Sequence, residues 1–219
     1  MRSIAAAVAV AVVVSVALVA CNIAGAGIKG NGKAQTAQRA VPGFRALSVS
    51  GAIDVRVVVG GRQSVELRGD ENVLPIIRTR VTNDTLVVDS TESYSSKVPL
   101  ELRITVPALE ALSASGACRG SIQGITGESF TLDASGATSF ELAGATDRLR
   151  LDVSGSGTVG ARRLVAASAT VGVSGAGEIE LTATSHLAAS VSGAGSIDYW
   201  GNPGRVERSV SGAGSIEGH

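Results

Sequence analysis

The sequence predicts an all-β fold: a parallel β-helix-like solenoid of about 19-residue coils with an antiparallel β N-terminal portion. Three observations predict it. A Ser-Gly-Ala or Ser-Gly-Ser motif begins at Ser50, Ser115, Ser135, Ser154, Ser174, Ser192 and Ser211, and the last six recur at a near-constant interval. Apolar and polar residues alternate on both sides of each motif, the period of a strand with one buried face. Finally, 44% of the 219 residues are hydrophobic but only 3% are aromatic, with 28 Gly, so the core must be built from Val, Ile, Leu and Ala.

Residues 1–20 read as a targeting segment. Arg2 supplies the positive start, and Ile4 to Ala20 is Ala/Val-rich with Ser15 its one polar residue. Leu18-Val19-Ala20-Cys21 resembles a bacterial lipobox. That resemblance implies lipid transfer to the Cys21 thiol and cleavage before it, giving a membrane partner through a lipid anchor. Asn22, not Asp, follows the cysteine, which favours the outer over the inner membrane within the cell envelope. Residues 21–40 are rich in Gly, Ala, Gln and Lys without apolar periodicity, and read as a flexible tether.

Residues 41–219 form the expected solenoid domain, with 41–110 an antiparallel β cap portion. Ile53 to Val59 alternates as a strand, Gly60-Gly61 signals a hairpin turn, and Ser64 to Arg68 is its expected return. Asp70 to Ile77 suggests a helical turn capped by Asp70. Arg78 to Thr82, Asn83-Asp84 and Leu86 to Asp89 form a second hairpin, and Leu100 to Val106 a further strand ending at Pro107.

Residues 111–219 carry the repeats. Phe130, Leu132 and Ala134, then Leu149, Leu151 and Val153, then Leu187, Ala189 and Val191 alternate inward before the motif. Phe140, Val159, Ile179, Ile197 and Ile216 resume the pattern after it. Arg148, Arg150, Asp152, Glu141, Glu178, Glu180 and Asp198 fill outward positions. Each unit therefore reads as strand, corner, strand and a less regular return. Gly116, Gly136, Gly155, Gly175, Gly193 and Gly212 are the structural corners, where a sharp bend between stacked backbones excludes a side chain. Cys118 replaces the second Gly of the Ser-Gly-x-Gly corner, which suggests a packing role.

Phe44-x-x-Leu47-x-Val49-x-Gly51-x-x-x-Val55, Gly69-Asp-Glu-Asn72, Leu102-x-Ile104-x-Val106-Pro107-x-Leu109 and the Ser-Gly-Ala-Gly repeats together resemble the head GIN domain of auto-transporter adhesins. The resemblance runs from Phe44 to His219. It implies an exported bacterial protein with a β-helical fold, and it carries no catalytic residues to transfer.

The chemistry-bearing residues are sparse. Lys+Arg and Asp+Glu number 19 each, a balance that argues against nucleic acid as a partner. The acids are scattered along the chain, whereas glycosidases need two facing carboxylates. The two His, His186 and His219, lie in a return and at the last position, and Cys118 has no local partner, so no metal is expected. Gly25 to Gly30 and Gly155 to Gly160 match G-x-G-x-x-G without its strand-helix context, so no cofactor is expected. Gly193 to Asp198 lacks the cadence of a calcium-binding nonapeptide. Gly172-Val-Ser174-Gly-Ala176 falls one residue short of a nucleophile elbow, and the same Ser recurs in every coil, so it is architectural. The reading is a non-enzymatic, lipid-anchored envelope protein acting as an adhesin or structural module. A carbohydrate-active β-helix enzyme and a self-associating scaffold are the alternatives. Its partners would be an envelope or host glycan or protein, and a second copy through an open solenoid edge. Tyr199 and Trp200, two of six aromatic residues, are the expected ligand contact. By strand parity Tyr199 points with Ile197 and Trp200 the other way. The competing expectation is that the rings plug the end of the bore.

Overall fold

A computed structural model describes residues 27–219. The segment read as a signal peptide and lipobox, with Cys21, lies outside the described residues. Among those described, no helix is long and apolar enough to cross a membrane.

The chain winds into rungs, each a strand, a corner and a second strand, and rungs stack in parallel register. Ala46–Gly51 and Asp54–Val59 form one rung, and Ala111–Gly116 and Arg119–Ile125 pair onto it residue for residue. Ser129–Gly136 begins the next rung. The long strands Ser139–Gly155, Thr158–Gly175 and Glu178–Gly193 each run from one rung into the next. Ser196–Trp200, Arg205–Gly212 and Ser215–Gly218 complete the stack. One continuous 16-stranded sheet results, curled into two walls, one holding the strand before each corner and one the strand after it.

The returns expected to be irregular are partly continuous strand. Register slips within Ser139–Gly155 and Thr158–Gly175 mark bulges where the chain bends without abandoning its ladder. Every apolar residue expected to face inward is buried, from Phe130 and Leu132 through Ile197 to Ile216. Burying each Val, Leu, Ile or Phe among them contributes roughly 1.5–3 kcal/mol. The core is a stack of short aliphatic columns whose members are brought together by register.

At each corner the glycine carbonyl accepts the N–H that follows the next corner glycine. Ala176 N–H to Gly155 O and Ala194 N–H to Gly175 O are both 2.8 Å. Gly175 has φ +117°, and a Cβ there would lie 2.6 Å from Gly155 O. A side chain is therefore excluded by conformation and by space together.

The corner also shows a volume exchange. The inward residue before the motif serine is Ala114 or Ala134 where the third residue after that serine is Cys118 or Thr138. It is Val153, Val173 or Val191 where that position is Gly157, Gly177 or Gly195. On the last rung Val210, which is exposed, precedes Gly214 in the same pattern, and the first corner, with Val49 and Ile53, stands outside it. Valine methyls occupy the space vacated at the glycines: a Cβ on Gly195 would fall 2.5 Å from Val173 Cγ1. Cys118 is a free, buried thiol whose Sγ lies 3.4 Å from Gly51 O and 3.3 Å from Ser115 O. Burial pushes its pKa up, against the lowering effect of neighbouring backbone hydrogen bonds.

The N-terminal portion departs from its expected pairing. Asp54–Val59 and Ser64–Asp70 do not form a hairpin. Glu101–Val106 inserts between them, parallel to the first and antiparallel to the second. Gly60 N–H donates to Val106 O at 2.8 Å, so the Gly60-Gly61 turn is opened to straddle the inserted strand. Thr85–Ser90 pairs in parallel with Ala46–Gly51. Thus the segments 85–90 and 101–106 form a rung beneath residues 46–59, although they follow them in sequence. The chain then climbs past that rung at Pro107–Glu110, where Glu110 N–H donates to Arg45 O at 2.7 Å. The second expected hairpin is present: Ile77–Thr82 pairs antiparallel with Thr85–Ser90 around Asn83 and Asp84, both at positive φ.

The helical turn near residue 75 is a 3-10 turn, Leu74–Ile76, preceded by Val73 with no side-chain cap. Asp70 serves elsewhere. Its enclosed carboxylate accepts N–H bonds from Gly32 at 2.6 Å, Lys97 at 2.9 Å and Val98 at 3.0 Å. These bonds explain why the segment read as a tether is ordered in its described part. Ala34–Gln38 is a strand antiparallel to Glu66–Asp70, and Ile28–Lys29 pairs with Tyr94–Ser95.

Candidate functional site

The outer face of the wall before the corners is a grid of small polar side chains. Parallel register sets Ser50, Ser115, Ser135, Ser154, Ser174, Ser192 and Ser211 one above another. Two residues earlier runs a second row: Ser48, Ser113, Asp133, Asp152, Gly172, Ser190 and Ser209. Residues two apart on a strand share a face, so both rows point outward. Between them lies an open groove of about 450 Å³ lined by Ser113, Asp133, Ser135, Asp152, Ser154 and Ser174, among others. Gly172 notches the second row, because a Cβ there would stand 2.9 Å from Asp152 Oδ1 and 3.4 Å from Ser190 Oγ.

The acids that look scattered in the sequence are therefore stacked in the fold. Asp133 is opposite Asp152, and Glu180, Asp198 and Glu217 stack on the other wall, after the corners. No local motif reveals this, because the pairing partners lie a full coil apart. The only signal was an acid recurring at one phase of the repeat. Arg150 Nη2 holds Asp152 at 2.6 Å. Asp133 is exposed and Asp152 half-buried on an open face. The burial contrast that sets a general acid apart from a nucleophile is thus small at this pair.

At the C-terminal end the two expected contact rings separate, as strand parity predicts. Tyr199 points into the bore and is 7% exposed. Arg208 lies across it, its Cζ 5.1 Å from the ring centroid and its Nη2 donating to the Tyr199 hydroxyl. Arg208 occupies an inward column position, in register with Ala189 and, rungs below, Val171 and Leu151. Trp200 faces outward but is half-buried. The Arg162 guanidinium packs 3.9 Å over its ring from the preceding rungs, and His219 stacks at 4.7 Å from the following one. Its flat faces are therefore already covered. His186 stands apart, 3.6 Å from Glu207.

Fold and surface define a class: a parallel β-solenoid head with a hydroxyl-rich outer sheet. The chain belongs to the family described as "Putative auto-transporter adhesin, head GIN domain", which it matches over residues 43–203. Its fold is that of a "putative adhesin" from Bacteroides fragilis NCTC 9343, with TM-score 0.73 and 23% identity, covering 88% of this chain and 100% of that one. A "putative adhesin" from Parabacteroides merdae ATCC 43184 is similar with TM-score 0.54 and 20% identity, covering 88% of this chain and 98% of that one. A "putative lipid binding protein" from Parabacteroides distasonis ATCC 8503 is similar with TM-score 0.53 and 22% identity, covering 88% and 99%. No curated protein matches the chain.

Proposed function

We propose that the protein is a non-enzymatic binding module of the bacterial cell envelope, held by a lipid on Cys21, with the serine grid as its contact face. One observation carries this reading: a rigid, in-register polar face with a groove, on a chain of an adhesin-head family. Repeating hydroxyls at the strand spacing of about 4.8 Å suit a partner with many regularly placed polar groups, such as a glycan or an extended polypeptide. The rungs hold the face in place before binding, so little conformational entropy is lost there. Lipid on Cys21 would supply the membrane partner, and the outer membrane is the favoured site. Trp200 acts in this reading as a clamp on the last rungs rather than as a platform for sugar.

The stacked Asp133 and Asp152 favour one other reading, a carbohydrate-active enzyme with both acids in the groove. A glycan array separates the two. Retained but uncleaved glycan supports a binding module, and release of reducing ends that disappears in Asp133→Asn supports the enzyme. Absence of any retained glycan, protein or cell-surface partner contradicts the binding reading. Labelling with a radioactive fatty acid tests the anchor: wild type should incorporate label and Cys21→Ser should not.

A further inference from the structure

The geometry points to a divalent transition-metal site at the C-terminal end of the solenoid, formed by Asp198, Glu217 and His219. Parallel pairing places Asp198 opposite Glu217 on the last two rungs. The ladder continues past Gly218, since His219 N–H donates to Tyr199 O at 2.9 Å. Glu217 and His219, two apart on extended chain, share the outer face with Asp198. One carboxylate oxygen from each acid and an imidazole nitrogen consequently lie within 4.8 Å of one another. His219 Nε2 and Asp198 Oδ1 are already 2.8 Å apart.

Two carboxylates and an imidazole form a donor set for zinc, nickel, cobalt or copper. A tetrahedral ion with bonds of about 2.0–2.2 Å separates its ligands by about 3.3–3.6 Å. Reaching that spacing opens the 2.8 Å His219–Asp198 pair slightly and draws the Glu217 carboxylate in, a side-chain adjustment on the rim.

Charge gives a second, independent argument. Glu180, Asp198 and Glu217 stand in register on successive rungs, and like charges directly opposite one another destabilise a sheet. Three other outward acids have guanidinium partners, Arg119 at Asp54, Arg150 at Asp152 and Arg163 at Glu141. Asp133 and Glu178 stand without one among the described residues, but neither faces an acid on both sides. Among the described residues, no Lys or Arg forms an ion pair with Glu180, Asp198 or Glu217, and the His219 imidazole is the side chain that meets the column at Asp198. A bound divalent ion would relieve that repulsion. The imidazole is also held in place by Trp200, stacked at 4.7 Å with an interplanar angle of 16°. Fixing a ligand ring in advance favours metal capture. Arg162 sits over Trp200, and Arg162 and Arg163 border the earlier end of the column at Glu180, away from Glu217 and His219 on the last rung.

Trp200 is the sole tryptophan and reports on its neighbour directly. Titrating the purified chain with CoCl2 or NiCl2 should quench its fluorescence saturably at one ion per chain, and ZnCl2 should compete. Isothermal titration with ZnCl2 should show the same stoichiometry. In both measurements Asp198→Asn and His219→Ala should weaken binding by about tenfold or more. His186→Ala should leave it unchanged. Thermal unfolding of each metal-free variant checks that the fold is intact. Absence of saturable quenching and of heat would overturn the site. So would wild-type affinity in both Asp198→Asn and His219→Ala, or loss of binding in His186→Ala alone.

Discussion

Val153 Cγ1 lies 2.8 Å from the point where a Cβ on Gly177 would stand, although the two residues belong to successive rungs. Valine in one rung thus requires glycine at the corner of the next. Gly177→Ala should destabilise by about 1–3 kcal/mol through overpacking. Val153→Ala alone should also destabilise, by leaving a void. Together they should be less damaging than their sum by about 1 kcal/mol, the coupling expected of residues in contact. Urea unfolding of the four proteins checks this, and strict additivity would contradict it.

Gly175 and Ser174 are neighbours with opposite demands. Gly175→Val forces a branched side chain into positive φ, with its Cβ 2.6 Å from Gly155 O, and should cost at least about 1–3 kcal/mol. Ser174→Ala, on the exposed outer face, should change stability by no more than about 0.5 kcal/mol. Equal effects from the two would show that the corner is looser than the stacked carbonyls require.

Asp70 ties the N-terminal strands to the loop at Lys97 and Val98. Burial raises its pKa, but N–H bonds from Val98, Gly32 and Lys97 and the Lys97 charge outweigh it, so the folded pKa lies below the ordinary carboxylate value. The unfolded chain thus binds a proton at higher pH than the folded one. The stabilisation is complete above the unfolded value of about 3.9 and fades as pH falls through the folded value. Asp70→Asn, which turns an amide NH2 toward N–H donors, should lower the melting temperature at neutral pH. The gap from wild type should narrow in acid, and a gap independent of pH down to full protonation would contradict this role.

Arg208 is an inward-facing charge on a terminal strand, a device that keeps an open sheet edge from pairing. At the edge read as open from the sequence, Arg208 covers Tyr199, while Val210 on the same strand stays exposed. Arg208→Leu should make the chain self-associate at concentrations where wild type stays monomeric. Light scattering after size-exclusion chromatography measures it, and identical mass for both proteins across the range would contradict the guard role.

The inward columns were legible because alternation repeats with the motif, so Leu132, Leu151 and Ile197 could be assigned without knowing their partners. The Asn83-Asp84 hairpin was legible for a local reason: two residues that tolerate positive φ sit between two strands. Gly60-Gly61 misled because a diglycine signals reversal of direction but not which strand comes to lie alongside. Only the later strand Glu101–Val106 decides that. The strand Ala34–Gln38, inside the segment read as a tether, was missed because it lacks an apolar stripe of its own. Its order comes from pairing with Glu66–Asp70 and from Asp70. Parity told Tyr199 from Trp200, but not that Arg162 and His219 would cover the indole. The stacked acids were hidden because a column is a property of register, and each member looked alone within its own coil.

The serine grid is tested most directly by measuring partner binding across three variants of the purified chain. Ser154→Arg and Ser174→Arg place long cations in the middle of the groove on exposed positions, whereas Trp200→Ala alters only the clamp at the last rungs. Both serine variants should lose binding of the glycan or protein partner at an unchanged melting temperature. Trp200→Ala should melt earlier yet bind as wild type does. Full binding by Ser154→Arg and Ser174→Arg, with loss in a folded Trp200→Ala, would contradict the assignment and move the contact surface to the end of the solenoid.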